Sequence, residues 1–267
     1  MAKIIALAGK GGVGKTTISS AFVRILSESR PDAKILAIDA DPAVGLATAL
    51  GVEVKETLDD IRRKIIERAE AGAGKEALEL LGEVRYRIFD ALVETDRFSF
   101  LAIGRPEGAG CYCAVNAYLK EVIDMVSKDF DDVVIDGEAG IEQVNRRVME
   151  KVTHLFLVTD SSKKGFQVIR SIKQVADELV LYEKCGVIVN RAEDPEMLRG
   201  LLLEADEEHA HDENGAAALK FQGMEVLSII PRDPAHATND ILGKTIFELP
   251  ADAPVLTGAR EALERMK

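Results

Sequence analysis

The chain has 267 residues, 47% of them hydrophobic, enough to bury a sizeable core within one large domain. A formal net charge of -12 and a pI near 5.0 exclude a general affinity for nucleic acid or anionic membrane, since both rely on surplus Lys and Arg. No stretch approaches the roughly 20 apolar residues of a membrane span, and the apolar run at residues 4–8 is too short for a signal segment, so a cytoplasmic protein is expected.

Short apolar runs at residues 3–8, 35–38, 98–103, 133–135, 155–158, 186–189 and 226–230 read as buried strands. Helical-period segments lie between them, including 16–26 and 115–126. Alternation of strand and helix predicts right-handed crossovers and a single α/β domain over residues 1–267. Its mainly parallel sheet, of about seven to eight strands, is covered by helices on both faces. Two segments interrupt the rhythm and are expected to be helical insertions. They are residues 54–95, with a break at Gly72-Ala73-Gly74, and residues 194–222. Within the second, the run from Glu204 to Glu213 carries His209 and His211. It reads either as a metal site or, with fewer assumptions, as a solvated acidic helix end closed by Asn214-Gly215. The segment 256–266 has apolar residues at helical spacing and mixed charge, and is expected to pack on the body rather than on a membrane.

The stretch Gly9-Lys10-Gly11-Gly12-Val13-Gly14-Lys15-Thr16 fits G-x-x-x-x-G-K-[ST], follows a strand and opens a helix, which makes the chain a P-loop NTPase. Glycines let consecutive backbone N–H groups converge on phosphate oxygens, and the helix points its positive end at the same anion. Residues Gly9 through Thr17 are therefore assigned to Mg-ATP or Mg-ADP. Lys15 is set against the β and γ phosphates and the Thr16 hydroxyl on Mg²⁺.

The second lysine, Lys10, gives Lys-Gly-Gly-Val-Gly-Lys-Thr-Thr, which resembles the deviant Walker A ATPases related to MinD, ParA and the nitrogenase iron protein. That resemblance implies that Lys10 reaches the nucleotide of a partner subunit, so hydrolysis requires a nucleotide-dependent homodimer. It also implies three aspartate roles. Asp41, in Asp39-Ala40-Asp41-Pro42, orients or deprotonates the attacking water. Asp39 and Asp136, the latter opening Asp136-Gly137-Glu138-Ala139-Gly140, support Mg²⁺ through its waters, and Gly137 and Gly140 are hinges. Asn190 and Arg191, with Pro231 and Asp233, match the family's adenine-side elements. Both pairs follow strands, where open α/β sheets place ligands.

Three cysteines are present; Cys185 stands beside an apolar run and is expected in the core. Cys111 and Cys113 lie in Gly104-Arg105-Pro106-Glu107-Gly108-Ala109-Gly110-Cys111-Tyr112-Cys113, just before a predicted helix, where the dipole favours thiolate. One chain supplies two sulfurs and a closed S₄ site needs four, so a twofold axis near the pair would complete a Ni²⁺ or Zn²⁺ site from two subunits. A structural zinc or an inert dimer staple would use the same residues.

This block, with residues 136–141, resembles the nickel-insertion ATPases of the CooC and AcsF type. The likeness runs over residues 3–234, with Glu142-Gln143 standing where Glu-His is expected. It implies an ATPase that delivers nickel to apo carbon monoxide dehydrogenase or acetyl-CoA synthase. Two other readings stand beside it. An iron–sulfur reductase like the nitrogenase iron protein also needs two thiolates per subunit, but no cysteine lies near Asp136 here. A ParA- or MinD-type positioning ATPase would leave the cysteine pair without a purpose.

Overall fold

The structure, a computed structural model, describes residues 2–41, 43–61, 63–64, 91–104, 125–137, 151–205 and 219–267. Among the described residues nine strands form one sheet: β1 (Lys3–Gly9), β2 (Ile35–Asp39), β3 (Val93–Glu94), β4 (Ser99–Ala102), β5 (Asp132–Asp136), β6 (His154–Thr159), β7 (Lys184–Ala192), β8 (Lys220–Phe221) and β9 (Met224–Pro231). Their spatial order is β3-β4-β2-β5-β1-β6-β7-β9-β8. The central pairings are parallel, while the edge pairs β3–β4 and β8–β9 are antiparallel.

Each of the seven apolar runs read from the sequence is a strand. The two further strands have two residues each and lie inside the segments expected to be helical insertions. Residues 65–90 and 206–218 of those segments, the His209–His211 cluster among them, lie outside the described residues.

The described helices are α1 (Lys15–Ser29), α2 (Gly45–Leu50), α3 (Lys163–Leu179), α4 (Pro195–Ala205), α5 (Pro234–Ile241) and α6 (Pro254–Arg265). Side chains alternate across a strand, and here both alternating sets are apolar and buried. Leu7, Ala37, Val134, Phe156 and Ile188 face a core closed by α1, α2 and α6, with Phe22 edge-on to Phe156 at 4.8 Å. Ala6, Leu36, Val133, Leu155 and Val187 face the other core, covered by Phe166, Ile169 and Ile172 of α3 and Leu202 of α4. The C-terminal helix α6 packs on the body as expected, burying Val255, Leu256, Ala259 and Leu263. Among the described residues no helix is long and apolar enough to cross a membrane.

Doubly covered parallel strands leave only one place for polar chemistry, the rim where strands end and loops begin. At the carboxyl rim, β1, β2, β5, β6, β7 and β9 deliver Gly9, Asp39, Asp136, Thr159, Asn190 and Pro231 in that order of elements.

Candidate nucleotide site

β1 ends at Gly9 and α1 starts at Lys15, so residues 10–14 form the strand-to-helix loop. Gly14 is the N-cap of α1, at φ 93 and ψ 30, with no side chain capping the helix and no acidic residue in its first turn. The positive end of the α1 dipole is thus offered to an external anion rather than to a protein carboxylate. A side chain at position 14 is disfavoured twice, by the left-handed backbone and by a Cβ only 2.4 Å from Asn190 Nδ2, which would have to shift from the Val13 carbonyl. Lys15 is 7% exposed; its Nζ donates to the Gly9 and Lys10 carbonyls at 3.2 and 3.3 Å. The ammonium therefore lies folded over its own loop.

Beneath the loop, Asp39 and Asp136 end the adjacent strands β2 and β5 in direct register, both fully buried. Asp39 accepts from the backbone N–H groups of Asp41 and Leu46 at 3.1 and 2.8 Å. These bonds lower its pKa, yet burial and the neighbouring Asp136 outweigh them and push it up to about 7. Burial likewise raises Asp136, opposed by the Thr16 and Ser19 hydroxyls and by Lys15. Ser19 Oγ donates to Asp136 Oδ1 at 2.9 Å, while Asp136 Oδ2 is buried with no hydrogen-bond partner. An orphaned buried carboxylate oxygen beside a second carboxylate and a hydroxyl is a hard-oxygen donor set that fits Mg²⁺.

Asp41 lies at the surface of this group, with Oδ1 accepting from Ala43 N–H at 2.9 Å. The chain then passes through Val44 at φ 52, a left-handed conformation rare for a β-branched residue, before α2 begins. Strain of this kind persists only where the surroundings fix it.

Lys10 reaches sideways from the loop, its Nζ 3.5 Å from Asp160 Oδ2, just past the end of β6. On the far side of the loop, Asn190 Nδ2 donates to the Val13 carbonyl at 2.8 Å and Arg191 Nη1 to the Gly12 carbonyl at 2.7 Å. A cavity of about 520 Å³ opens next to them, lined among others by Thr17, Asn190, Arg191, Ile230, Pro231 and His236. Asp233 lines it as well but also caps α5, accepting from the N–H groups of Ala235 and His236.

The loop, Asp39, Asp41, Asp136, Asn190, Arg191, Pro231 and Asp233 are thus gathered at one rim of the sheet. The cysteine pair Cys111 and Cys113, with Glu138, Gly140 and Gln143, lies outside the described residues. Among the described residues no group of three or more His, Cys, Asp and Glu side chains is arranged to hold a metal. Cys185 packs half-buried against the α3-side core, and burial pushes its thiol up to about 12. Sequence reading passed over Asp160 and Ser19. Ser19 is one turn beyond Thr16 on α1, a spacing that shares its face.

A family profile described as the CobQ/CobB/MinD/ParA nucleotide binding domain matches residues 4–246. The chain belongs to this family of P-loop nucleotide-binding proteins. An uncharacterized ATP-binding protein of Methanocaldococcus jannaschii is 37% identical over 98% of both chains. The carbon monoxide dehydrogenase accessory protein CooC of Rhodospirillum rubrum is 29% identical, covering 92% of this chain and 89% of its own. The solved structure of the septum site-determining protein MinD with Mg-ADP from Pyrococcus horikoshii shares the fold. It superposes with a TM-score of 0.65 at 20% identity, over 100% of this chain and 96% of that one. As a member of the CobQ/CobB/MinD/ParA family, the chain carries its nucleotide loop where the sheet topology leads, between β1 and α1.

Proposed function

We propose that this protein is an ATP-hydrolysing maturation factor that closes as a homodimer around nickel and delivers it to apo carbon monoxide dehydrogenase or acetyl-CoA synthase. The observation that carries the reading is the pair Cys111 and Cys113, two thiols in a chain whose similarity to CooC spans nearly its full length. Each subunit offers two thiolates, and two subunits complete a four-sulfur site for Ni²⁺ or Zn²⁺.

In this reading the loop from Gly9 to Thr17 binds the phosphates of ATP, with its N–H groups and Lys15 countering their charge. Thr16, Asp39 and Asp136 would hold Mg²⁺, which when bound with the nucleotide supplies neutralisation of the phosphate charge. Asp41, at the open side of that group, orients the attacking water. Lys10 leaves Asp160 and reaches the nucleotide of the partner subunit, so hydrolysis waits for dimer closure. Pro231 and Asp233, with Asn190 and Arg191, border the cavity assigned to the adenine.

The test is metal analysis of wild type and of Cys111→Ala/Cys113→Ala, each with ATP and with ADP, read against the dimer fraction. Nickel at about one per dimer, dependent on ATP and lost in the variant, is expected. Equal nickel in wild type and variant would remove the cysteines from the reading. The fold likeness to MinD favours a second reading, a positioning ATPase. ATP-dependent sedimentation with liposomes or DNA, without nickel binding, would select it.

A further inference from the structure

The two residues of β7 assigned from sequence to the adenine side meet the phosphate loop. Asn190 holds the Val13 carbonyl and Arg191 holds the Gly12 carbonyl, and these are consecutive peptides. A trans peptide is planar, so its C=O and the following N–H point in opposite directions. Holding the Gly12 carbonyl therefore fixes the direction of the Val13 N–H, and holding the Val13 carbonyl fixes the Gly14 N–H.

The backbone agrees with this. Gly12 and Gly14 have φ of 78 and 93, with Val13 between them outside the positive-φ region. Such alternation turns successive N–H groups onto one concave side, an anion nest, and leaves their carbonyls on the convex side. Asn190 and Arg191 grip the convex side.

For Val13, which is buried, a carbonyl partner is a folding requirement. Gly12 is exposed, and water would serve its carbonyl as well. Yet Arg191 sits where β7 shifts register on β9 and holds a left-handed φ of 60, uncommon for a residue with a side chain, and from that position its guanidinium bonds to Gly12. A strand irregularity that aims a side chain into a contact folding does not demand points to function.

We infer that Arg191 is a positioning residue for phosphate: through the Gly12 carbonyl it sets the peptide whose Val13 N–H faces the bound anion. The inference rests on the loop being the phosphate site. It makes Arg191 indifferent to the base and places its effect on the loop before any nucleotide arrives.

Two measurements test it on the full-length protein. Arg191→Ala is expected to weaken ATP and base-free tripolyphosphate by the same factor, about tenfold or more for a lost charge-assisted bond. In the nucleotide-free variant the Val13 amide is expected to shift in the ¹⁵N–¹H spectrum, with the melting temperature unchanged. Arg191→Met, which keeps the stem over the loop, replaces the alanine variant should that fail to fold. Weakened ATP with unchanged tripolyphosphate would make Arg191 a base reader and overturn the inference. An unshifted Val13 amide would overturn it too, leaving Arg191 as a direct phosphate ligand or a bystander. A wild type that binds neither ligand would instead remove the phosphate-site reading underneath.

Discussion

Lys10 and Asp160 form an ion pair within one subunit, Nζ to Oδ2 at 3.5 Å, between the phosphate loop and the end of β6. Both side chains are about one-third exposed, at 34% and 32%. Burial pushes the Asp160 carboxyl up, but the Ser162 hydroxyl and N–H together with Lys10 outweigh it and hold the carboxyl low. A lysine that serves a partner subunit must leave this pair. Asp160→Asn should therefore lower the ATP concentration that drives dimerisation, by about two- to fivefold, the worth of a partly exposed ion pair. Lys10→Ala should bind ATP with near wild-type affinity and neither dimerise nor hydrolyse. Sedimentation velocity over an ATP series checks both, and a Lys10→Ala protein that dimerises normally would remove the trans role.

The adjacent carboxylates Asp39 and Asp136 set a pH dependence whose sign follows from their shifts. The folded Asp39 keeps its proton up to about pH 7, whereas the unfolded chain releases it near 3.8. Between those values the folded state binds more protons, so this contribution to stability is complete below the unfolded value and lost as pH rises toward 7. Asp136 is shifted in the same direction. Without nucleotide or Mg²⁺, Asp39→Asn should stabilise the protein by about 2–4 kcal/mol at about pH 8 and change little near pH 4. With Mg²⁺ present the wild type should regain stability at the higher pH and the variant should not. Urea midpoints at the two pH values, with and without Mg²⁺, decide it. A variant that tracks wild type throughout would show the pair to be uncoupled from folding.

The seven long strands were legible because doubly covered parallel strands must be continuously apolar, as Ile5-Ala6-Leu7 and Val133-Val134-Ile135 are. The loop was legible because its glycines and lysine occupy fixed offsets. β3 and β8 were not, since two residues carry no period and exist as strands only through their neighbours β4 and β9. Asp160 was hidden for a related reason. What places it near Lys10 is the register of β1 on β6, with Gly9 opposite Val158, and local sequence does not state which strands are neighbours. From sequence Arg191 was placed after a strand; it lies within β7, and sequence reports neither that extension nor the left-handed turn of its backbone there.

Cys185 predicts how the thiols divide. Burial raises its pKa to about 12, so almost none is thiolate at neutral pH, and the thiolate is the reactive form. Titration with a disulfide reagent near pH 8 should give a fast phase from Cys111 and Cys113 and a phase at least about tenfold slower from Cys185. Nickel with ATP should suppress the fast phase and spare the slow one. Cys185→Ala should delete the slow phase alone. Three thiols reacting at one rate would contradict the assignment.

The C-terminal helix α6 borders the cavity beside Asn190 through Val255. Gly258 on α6 lies against Ile230 of β9: a Cβ there would sit 2.5 Å from Ile230 Cγ1 and 3.1 Å from Cδ1. Ile230 lines the cavity beside Asn190 and Pro231 and is itself 1% exposed, so a side chain pushed away from α6 is expected to move toward the cavity. Gly258→Ala gains about 1 kcal/mol of helix propensity but incurs overpacking of about 1–3 kcal/mol, for a net loss and a constricted cavity. ATP affinity should fall with stability. Ile230→Ala alone should cost about 2–5 kcal/mol through the lost side chain. In the double variant the alanine at 258 meets no Cγ1, so its overpacking disappears and the combined loss should be smaller than the sum by about 1–3 kcal/mol. A double-mutant cycle by denaturant unfolding measures this coupling, and strict additivity would show that α6 yields outward instead of pressing on the cavity wall.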